Sequence, residues 1–488
     1  MSDLRFGRLR GFALAAAAGL ILLSSGCMVG PKYSKPAAPV APTYSEQPPT
    51  SFGDTPGWKT AQPSDATIRE KWWETFGDAD LNALEEQVVA ANQTLKAAEA
   101  NYRQAQAQIQ FNRSNLYPTI SAGALISHNR ISANSPNGFQ GNQYANFALP
   151  ISASWEPDLW GRVRRSVTAA KEQTQASAAD LENARLILEA ELASDYFETR
   201  SLDAEKKLLD DTVVAYQRAL TLTQNRYTGG VASKVEVEQA ATQLQQTQAQ
   251  DIDLSVARSQ LEHAMAVLTG RVPEGFHLTN EPLTQTPPAV PIGVPSQLLE
   301  RRPDIAGAER RLAAANEQIG IARAAYYPDL VISATGGLQA GSIVDWFTWP
   351  SRYWAAGPQI SQTIWDAGRR RAQVISSEAA YDYEVATYRQ TTLTAFQEVE
   401  DALSTLRILE NESAKQHEAT ASAENSLQLS LNRYKGGLVT YLEVITAQSI
   451  ALQNERTDVD LLRRRMAASV ELVRALGGGW NVSKLPNV

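Results

Sequence analysis

The stretch RYTGGVASKVEV, residues 226–237, occurs almost unchanged a second time as RYKGGLVTYLEV, residues 433–444. In both copies a glycine pair is suited to end a helix, because glycine accepts the left-handed conformation found just after a last helical turn. A serine or threonine three residues before a glutamate then forms a capping box, which starts the next helix. Each copy therefore predicts the tight tip of a helical hairpin.

Long helices are predicted on the N-terminal side of both tips. Neither proline nor glycine occurs from Ser166 to Tyr227 or from Arg369 to Lys435, and good helix formers dominate both segments. A continuous helix over 162–228 would be about 100 Å long, far beyond an ordinary globular helix. The return helices carry two adjacent apolar seams with spacings of three and four, which favours a helix with neighbours on both sides, as in a ring.

A further helix with the same spacing precedes each hairpin, over Leu81–Ile109 in the first copy and Ile305–Ile319 in the second. After these helices the pattern changes to a period of two, which predicts strand pairs within 119–155 and 329–365. Four strands cannot close a membrane barrel, and an open sheet edge is not stable in lipid. The chain is therefore expected to assemble as a ring, with a small soluble sheet capping a helical rod as the alternative.

The N-terminus has the features of a secretory signal, since three arginines precede a short apolar run at 11–23. Cys27 is the only cysteine and follows small residues, although Ser24 stands where lipoprotein signals usually carry leucine. We expect Cys27 to carry a covalent diacylglycerol and an N-acyl chain, which together give a durable anchor; a non-lipidated signal is the alternative. Met28 is typical of sorting to an outer membrane, and eight prolines in 28–63 favour an extended tether.

Composition and motifs exclude other classes of protein. The net charge of -8 does not suit a nucleic-acid binder. The four histidines are scattered, and a single cysteine allows no disulfide within the chain. The sequence therefore predicts no metal site, and the absence of a catalytic constellation predicts that the protein is not an enzyme.

Several motifs together carry a resemblance to a known family: CMVGPKY from residue 27, VPSQLLERRPDIAGAE at 294–309, IWDAGRRRA at 364–372, ALGGGW at 475–480 and the two tips. Over about 23–479 the chain resembles the outer membrane factor family, the TolC-like proteins, and most closely their NodT-type lipoprotein branch. The resemblance implies an α+β membrane protein. Its architecture would be a trimeric twelve-stranded outer-membrane β-barrel, with four strands per protomer, continuous with a long periplasmic α-helical barrel and a mixed equatorial domain.

The organisation expected on this basis has six parts. In chain order they are a lipoprotein signal peptide (1–26), a lipidated Pro-rich tether (27–75), a first structural repeat (76–270), a Pro-rich equatorial crossing (271–302), a second structural repeat (303–477) and a C-terminal tail (478–488). In each repeat one long helix, 162–228 or 369–435, would be matched by two shorter helices stacked end to end.

The implied function is that of the exit duct of a tripartite efflux pump in the Gram-negative outer membrane. A homotrimer would conduct small molecules passively from the periplasm to the exterior. Its partners would be a periplasmic adaptor, an inner-membrane RND-type transporter that supplies energy and selects the substrate, and outer membrane lipid. A type I protein-secretion conduit and a non-conducting coiled-coil surface protein are the alternatives.

Motif matching to the family implies two sets of site residues at the tips. The periplasmic gate would comprise Arg226, Tyr227, Arg433, Tyr434, Glu443 and Thr446. The adaptor-docking surface would comprise Gly229, Gly230, Val231, Ser233, Gly436, Gly437, Leu438 and Thr440.

Thr446 stands where many relatives carry aspartate, so a threonine ring would replace one acidic ring and Glu443 would gain weight. Three copies of Glu443 around a constriction would favour cations. For Glu443, gating and simple helix capping both remain open, whereas Glu236 is expected only to cap. Tyr227 and Tyr434 are equally compatible with gate links and with ordinary packing.

Overall fold

The structure, a computed structural model, describes residues 28–49, 71–134, 143–290 and 295–488. The predicted signal peptide and Cys27 lie outside the described residues. The α-helices are α1 (Ala79–Ala91), α2 (Gln93–Ser114), α3 (Arg162–Thr228), α4 (Lys234–Leu268), α5 (Leu298–Arg301), α6 (Pro303–Ala324), α7 (Arg369–Lys435) and α8 (Tyr441–Ala475). The strands are β1 (Thr119–Ala122), β2 (Leu125–Arg130), β3 (Gln143–Trp155), β4 (Asp329–Ala340) and β5 (Arg352–Ser361).

The two long helices are confirmed at the expected bounds. Helices α3 and α7 each contain 67 residues, and both begin after a glycine in the left-handed conformation, Gly161 or Gly368. Helices α2 and α4 pack along α3, and α6 and α8 pack along α7. Helix α6 also packs on α3. The half of the molecule next to the sheet is therefore a single layer of helices in the order α2–α3–α6–α7. In the part of the chain that the structure describes, no helix is long and apolar enough to cross a bilayer.

The short helices meet end to end at a polar joint in each repeat. The single helix predicted over Leu81–Ile109 is wrong, because the chain breaks at Asn92 into α1 and α2. The Asn92 side chain accepts from the amide of Thr94 at the start of α2 and donates to the Leu268 carbonyl at the end of α4. These two bonds satisfy end groups that a helix leaves unpaired.

The second repeat makes the same joint with a charged residue. Arg302, which precedes α6, donates to the carbonyl of Ala475 at the end of α8 at 3.0 Å. Its guanidinium also pairs with Asp304 and Glu398, both at 2.7 Å. Both joints therefore close a helix end with a buried side chain, by an amide in one repeat and a guanidinium in the other.

The sheet is antiparallel in the order β1–β3–β4–β5, and β2 also pairs with β3. Strands β1 and β2 together form one interrupted strand beside β3, and the interruption lies opposite Pro150, which has no N–H to donate. On the other side of β3, Pro150 faces Gly337, where a Cβ would lie 2.1 Å from the carbonyl oxygen of Leu149. Each chain thus supplies four rows of strand, and the two outer rows have an unpaired edge.

The main apolar core lies around the joints, where α1, α3, α4, α7 and α8 meet. Its largest buried side chains include Trp72, Phe76, Tyr196, Phe197, Met265 and Met466. This core fixes the two hairpins relative to one another, so that their tips lie at the same end of the molecule.

Residues 28–49, hereafter the strap, form part of the expected tether and are docked on the helices. The Lys35 ammonium binds Glu309 of α6 at 3.0 Å, and the amides of Ser45 and Glu46 donate to one carboxylate of α7, Glu400. At its start, the strap places the carbonyl of Val29 2.7 Å from the Arg165 guanidinium. The strap therefore runs down one face of the helical layer.

The paired hairpin tips as candidate functional site

Residues 226–237 are called the first tip and residues 433–444 the second tip. Their backbones are nearly the same. The second glycine of each pair is left-handed, with φ of +75° at Gly230 and +74° at Gly437. Each donates its amide to the carbonyl of the motif tyrosine, Tyr227 or Tyr434, at 2.9 Å. The prediction of two similar hairpin tips is confirmed.

The helix caps of the two tips differ. At the first tip the Ser233 hydroxyl accepts from the Glu236 amide and the Glu236 carboxylate accepts from the Ser233 amide, which completes the predicted capping box. At the second tip the side chain of Thr440 forms no cap bond, so the capping box predicted there is wrong. Glu443 instead accepts from the Arg433 guanidinium at 2.6 Å, a charge-assisted bond stronger than one to a neutral amide.

Tyr434 ties the two tips together within one chain. Its side chain is 1% exposed, and its hydroxyl donates to the Glu236 carboxylate at 3.1 Å. The Arg226 guanidinium lies 4.6 Å from the centre of the Tyr434 ring and also donates to the carbonyl of Lys435. A cation placed over an aromatic ring in this way is attracted to it. Burial raises the pKa of Tyr434, so the hydroxyl keeps the proton that it donates.

Tyr227 occupies the same position in the first tip but is 45% exposed. Its environment within one chain is therefore not that of Tyr434. From the sequence, each tyrosine could pack in the hairpin or link the tips. In the structure Tyr434 is packed and also links the two tips, whereas Tyr227 remains accessible.

Glu443 and Thr446 lie one turn apart on α8, and neither is buried. The Thr446 hydroxyl donates to the Leu442 carbonyl of its own helix at 3.0 Å. The ion pair of Glu443 with Arg433 is also partly exposed, so it contributes little to stability. In a single chain these side chains are thus available to line an opening.

The surface expected to dock an adaptor is exposed. The glycines of both tips, Ser233 and Thr440 are exposed, and the tips present Val231 and Leu438 at 67% and 75% exposure. Beside them α4 and α8 form an open groove of about 640 Å³, in which Val235 and Leu442 lie among polar side chains such as Glu238.

The sequence did not identify two members of the tip contact. Glu236 was expected only to cap, but it also accepts from Tyr434. Thr223 lies 3.5 Å from the same hydroxyl. One signal was present, because Thr223 precedes the first motif by three residues and Ser430 holds the same place in the second copy.

The chain is similar to known proteins over nearly its whole length. A profile of the family described as outer membrane efflux protein matches residues 84–271 and 294–478, a span that includes both tips. The chain is 31% identical to outer membrane protein OprJ of Pseudomonas aeruginosa over 96% of both chains. It is 31% identical to the solvent efflux pump outer membrane protein SrpC of Pseudomonas putida, over 95% of this chain and 98% of that one. Its structure matches that of the outer-membrane channel OprN with a TM-score of 0.84 at 27% identity, covering 93% of this chain and all of that one.

Proposed function

Because the chain belongs to the outer membrane efflux protein family, we propose that three copies close into one tube whose periplasmic mouth is held shut by the hairpin tips. The protein is an outer-membrane channel of an efflux pump, which conducts small molecules from the periplasm to the exterior without catalysing a reaction. One observation carries the proposed closure: the two tips have nearly the same backbone, but their equivalent side chains have different bonding partners.

The open edges of the sheet support a ring of chains. Strands β3 and β4 are paired on both sides, whereas the β1/β2 row and β5 each have a free edge that lipid cannot satisfy. Apolar side chains on α4 also support a ring: Ile252 is 71% exposed and Val256, one turn later, is exposed as well, so a neighbouring chain could cover them. Pairing β5 of one chain with β1/β2 of the next would satisfy the edges, and three chains would give the twelve strands that the family resemblance implies.

In such a ring first and second tips alternate, so each second tip meets the first tip of the next protomer. Within one chain Arg226 and Glu236 of the first tip bind Tyr434 of the second. The equivalent residues of the other copy, 207 positions away, are Arg433 and Glu443 in the second tip and Tyr227 in the first. Between protomers, Tyr227 of one chain would therefore contact Arg433 and Glu443 of its neighbour, all three of which are accessible in the single chain.

These links would form the resting gate. Opening requires the tips to separate, and each separation breaks a hydroxyl–carboxylate bond and a cation–ring contact. Glu443 and Thr446 would then line the mouth in three copies, and the carboxylates would favour cations there. Arg433 lowers this preference while it is paired with Glu443.

The start of the strap supports lipidation of Cys27. The amide of Val29 donates to the Trp160 carbonyl at 3.1 Å, and Met28 lies against Gly161 where β3 leads into α3. Met28 and Val29 therefore lie near the end of the sheet that adjoins the helices. Acyl chains attached there would reach the bilayer without unfolding the strap.

We propose a periplasmic adaptor and an RND-type inner-membrane transporter as the partners. The exposed tips are the end of the molecule that faces away from the sheet, and Val231 and Leu438 offer the adaptor apolar contacts. The efflux role in the description of the family and in the name of SrpC favours this assembly over a protein-secretion conduit or a non-conducting surface protein.

Planar-bilayer recording tests the gate. The double variant Arg226→Ala/Arg433→Ala, called the tip-opened variant, removes the guanidinium from both kinds of tip contact and is expected to raise the resting conductance several-fold. The control Arg103→Ala/Lys32→Ala removes the same charge at exposed positions away from the tips. Equal conductance in the wild type and the tip-opened variant would contradict the gate, and absence of current from every variant would contradict the channel.

A further inference from the structure

The two faces of the β-sheet differ in chemistry. On one face side chains bond across strands: the hydroxyls of Ser152 on β3 and Thr335 on β4 lie 3.2 Å apart. On the same face the Gln339 amide donates to the Asn146 side chain at 3.0 Å. The other face is apolar and carries residues such as Ile151, which is 57% exposed. Only the apolar face suits lipid, so in the proposed barrel it is the outer surface of the wall.

The loop between β4 and β5, residues 341–351, folds back onto this apolar face. Its Trp346 is 8% exposed and packs against Phe147 of β3, with ring centroids 5.5 Å apart. Phe147 and Ile151 are separated by an even number of positions along β3, so they share a face. The loop therefore lies on the lipid side of the sheet, at the end away from the helices, which is called the outer end below.

The same loop is held by its own hydrogen bonds and presents apolar side chains outward. The Asp345 carboxylate accepts from the Ser342 hydroxyl at 2.7 Å, and the Asp345 carbonyl accepts from the Ser351 hydroxyl at 2.6 Å. Four apolar side chains of the loop are 65% to 84% exposed: Ile343, Val344, Phe347 and Trp349. An exposed apolar patch of this kind marks an interaction surface. Its position on the lipid side makes acyl chains the occupant.

An arginine stands where this loop joins β5. Arg352 is the register partner of Leu338 on β4, which in turn pairs with Leu149 on β3. Directly opposed residues of neighbouring strands share a face, so Arg352 lies on the apolar face. Its guanidinium lies over the Trp349 ring, and Nε donates to the Trp349 carbonyl at 3.0 Å. The two terminal nitrogens form a fork that matches the oxygens of a phosphate.

The opposite edge of the sheet carries a second arginine at the outer end. Arg130, the last residue of β2, pairs with Gln143, which is an even number of positions from Phe147. Arg130 therefore lies on the apolar face as well, and it is exposed. Because the proposed ring pairs β5 of one chain with the β1/β2 row of the next, each boundary between protomers receives Arg352 from one chain and Arg130 from the other.

The strands provide no acidic partner for these two arginines. Neither aspartate nor glutamate occurs in 100–155, and 330–365 contains a single acid, Asp345. The Asp345 carboxylate is bonded to Ser342 within the loop. A charged side chain on a lipid-facing surface is costly unless it is paired. An anion that neutralises these arginines must therefore come from outside the sheet.

We infer that each boundary between protomers, on the lipid side of the outer end, binds a phosphorylated lipid of the outer leaflet. This inference rests on the proposed trimeric barrel. Arg352 of one chain and Arg130 of the next bind the phosphate groups, as basic sites between membrane segments do for anionic headgroups. The exposed side chains of the β4–β5 loop contact the acyl chains. Because one lipid contacts two chains, its binding also stabilises the trimer.

Native mass spectrometry of the detergent-solubilised protein tests this site with two matched lipids. One is hexa-acylated lipid A carrying two phosphates, and the other is the same lipid after removal of both phosphates. The wild-type trimer is expected to bind up to three molecules of the phosphorylated lipid and to bind the dephosphorylated lipid roughly tenfold more weakly, because charge-assisted bonds are lost. Equal affinity for the two lipids would overturn the inference.

A double variant assigns the preference to the two arginines. Arg130→Gln/Arg352→Gln is expected to lose the preference for the phosphorylated lipid. The control Arg218→Gln/Arg389→Gln removes two exposed arginines from the helices and should keep it. A preference that survives in the first variant, or disappears equally in both, would overturn the assignment. Wild-type spectra that contain only monomers would count against the proposed ring, whereas trimers that do not distinguish the two lipids contradict this inference alone.

Discussion

The first and second tips share a backbone and most of a motif, yet they bond differently. Glu236 completes a capping box and also binds Tyr434, whereas Glu443 pairs with Arg433 instead of completing a capping box. Tyr434 is buried and Tyr227 is exposed. Within one chain the first tip contacts the second. In the proposed ring the second tip would face the first tip of the next protomer, so unequal partners at equivalent positions would mark the surface where another copy completes the chain.

The two repeats differ in the same way farther from the tips. Their joints use Asn92 in one repeat and Arg302 in the other. In the central core, Glu189 of the first repeat corresponds to Phe396 of the second, 207 positions later. Duplication thus preserved the helical plan while the local chemistry diverged, and each pair offers a matched comparison.

Tyr434→Ala is expected to have the largest effect of these paired changes. Truncating a buried aromatic side chain costs roughly 3–5 kcal/mol, and here it also removes the bond to Glu236 and the ring contact with Arg226. Both Tyr434→Ala and Tyr227→Ala should raise the resting conductance, and to a similar extent, because Tyr227 would become covered in the proposed ring. Single-channel recording of both variants checks this, and an unchanged resting current in Tyr227→Ala would break the proposed equivalence.

Arg302→Ala is expected to destabilise the protein more than Asn92→Ala. Loss of a buried guanidinium that pairs with Asp304 and Glu398 costs about 3 kcal/mol, whereas loss of a capping amide costs about 1 kcal/mol. Thermal unfolding followed by circular dichroism compares the two variants. A larger loss for Asn92→Ala would contradict the account of the joints.

Glu189→Gln is expected to remove a pH dependence that the equivalent position of the second repeat, Phe396, cannot contribute. Burial raises the pKa of Glu189 to about 7, and Glu85 beside it is also buried with a raised pKa. A raised carboxyl pKa contributes stability fully at a pH below the unfolded value of 4.5, and that stability is lost as pH rises toward 7.

At pH 8 the variant should therefore be more stable than the wild type by roughly 3 kcal/mol, because the pKa of Glu189 rises from 4.5 to about 7 and each pKa unit is worth about 1.4 kcal/mol. The substituted amide can still accept the bond that Trp72 donates to Glu189. Unfolding temperatures at pH 5 and pH 8 provide the test, with Phe396→Leu as a control from the second repeat. Parallel pH profiles of Glu189→Gln and wild type would contradict this assignment.

Among these paired changes, Ser233→Ala and Thr440→Ala are expected to differ least in their effect on stability. Removing the first hydroxyl deletes half of a capping box, which costs about 1 kcal/mol, whereas the Thr440 hydroxyl forms no cap bond. Hydrogen exchange in the first turns of α4 and α8 measures both. Faster exchange in α8 of Thr440→Ala than in α4 of Ser233→Ala would reverse the comparison.

The sequence predicted the features that depend on short-range chemistry. Glycine pairs determine the tips, and uninterrupted runs of helix formers determine α3 and α7. It could not predict the break at Asn92, because that residue caps α2 while bonding to Leu268, 176 positions away. The lost cap at Thr440 has the same origin, since the Glu443 carboxylate has a stronger donor in Arg433.

Docking of the strap was also beyond reach from sequence alone. Prolines indicate an extended chain but not the surface on which it lies, and Lys35 and Glu309 are separated by 274 positions. The distinction between Tyr227 and Tyr434 depends on which neighbour belongs to the same chain, and two nearly identical motifs cannot encode it.

Cross-linking between tips tests the central claim, a ring in which Tyr227 contacts the next protomer. Tyr227→Cys/Glu443→Cys, treated in membranes with a short bismaleimide, should give covalent trimers on a denaturing gel. The matched variant Tyr434→Cys/Glu236→Cys should cross-link within one chain and migrate at the monomer mass. Monomers from the first variant, despite modification of both thiols, would contradict the ring.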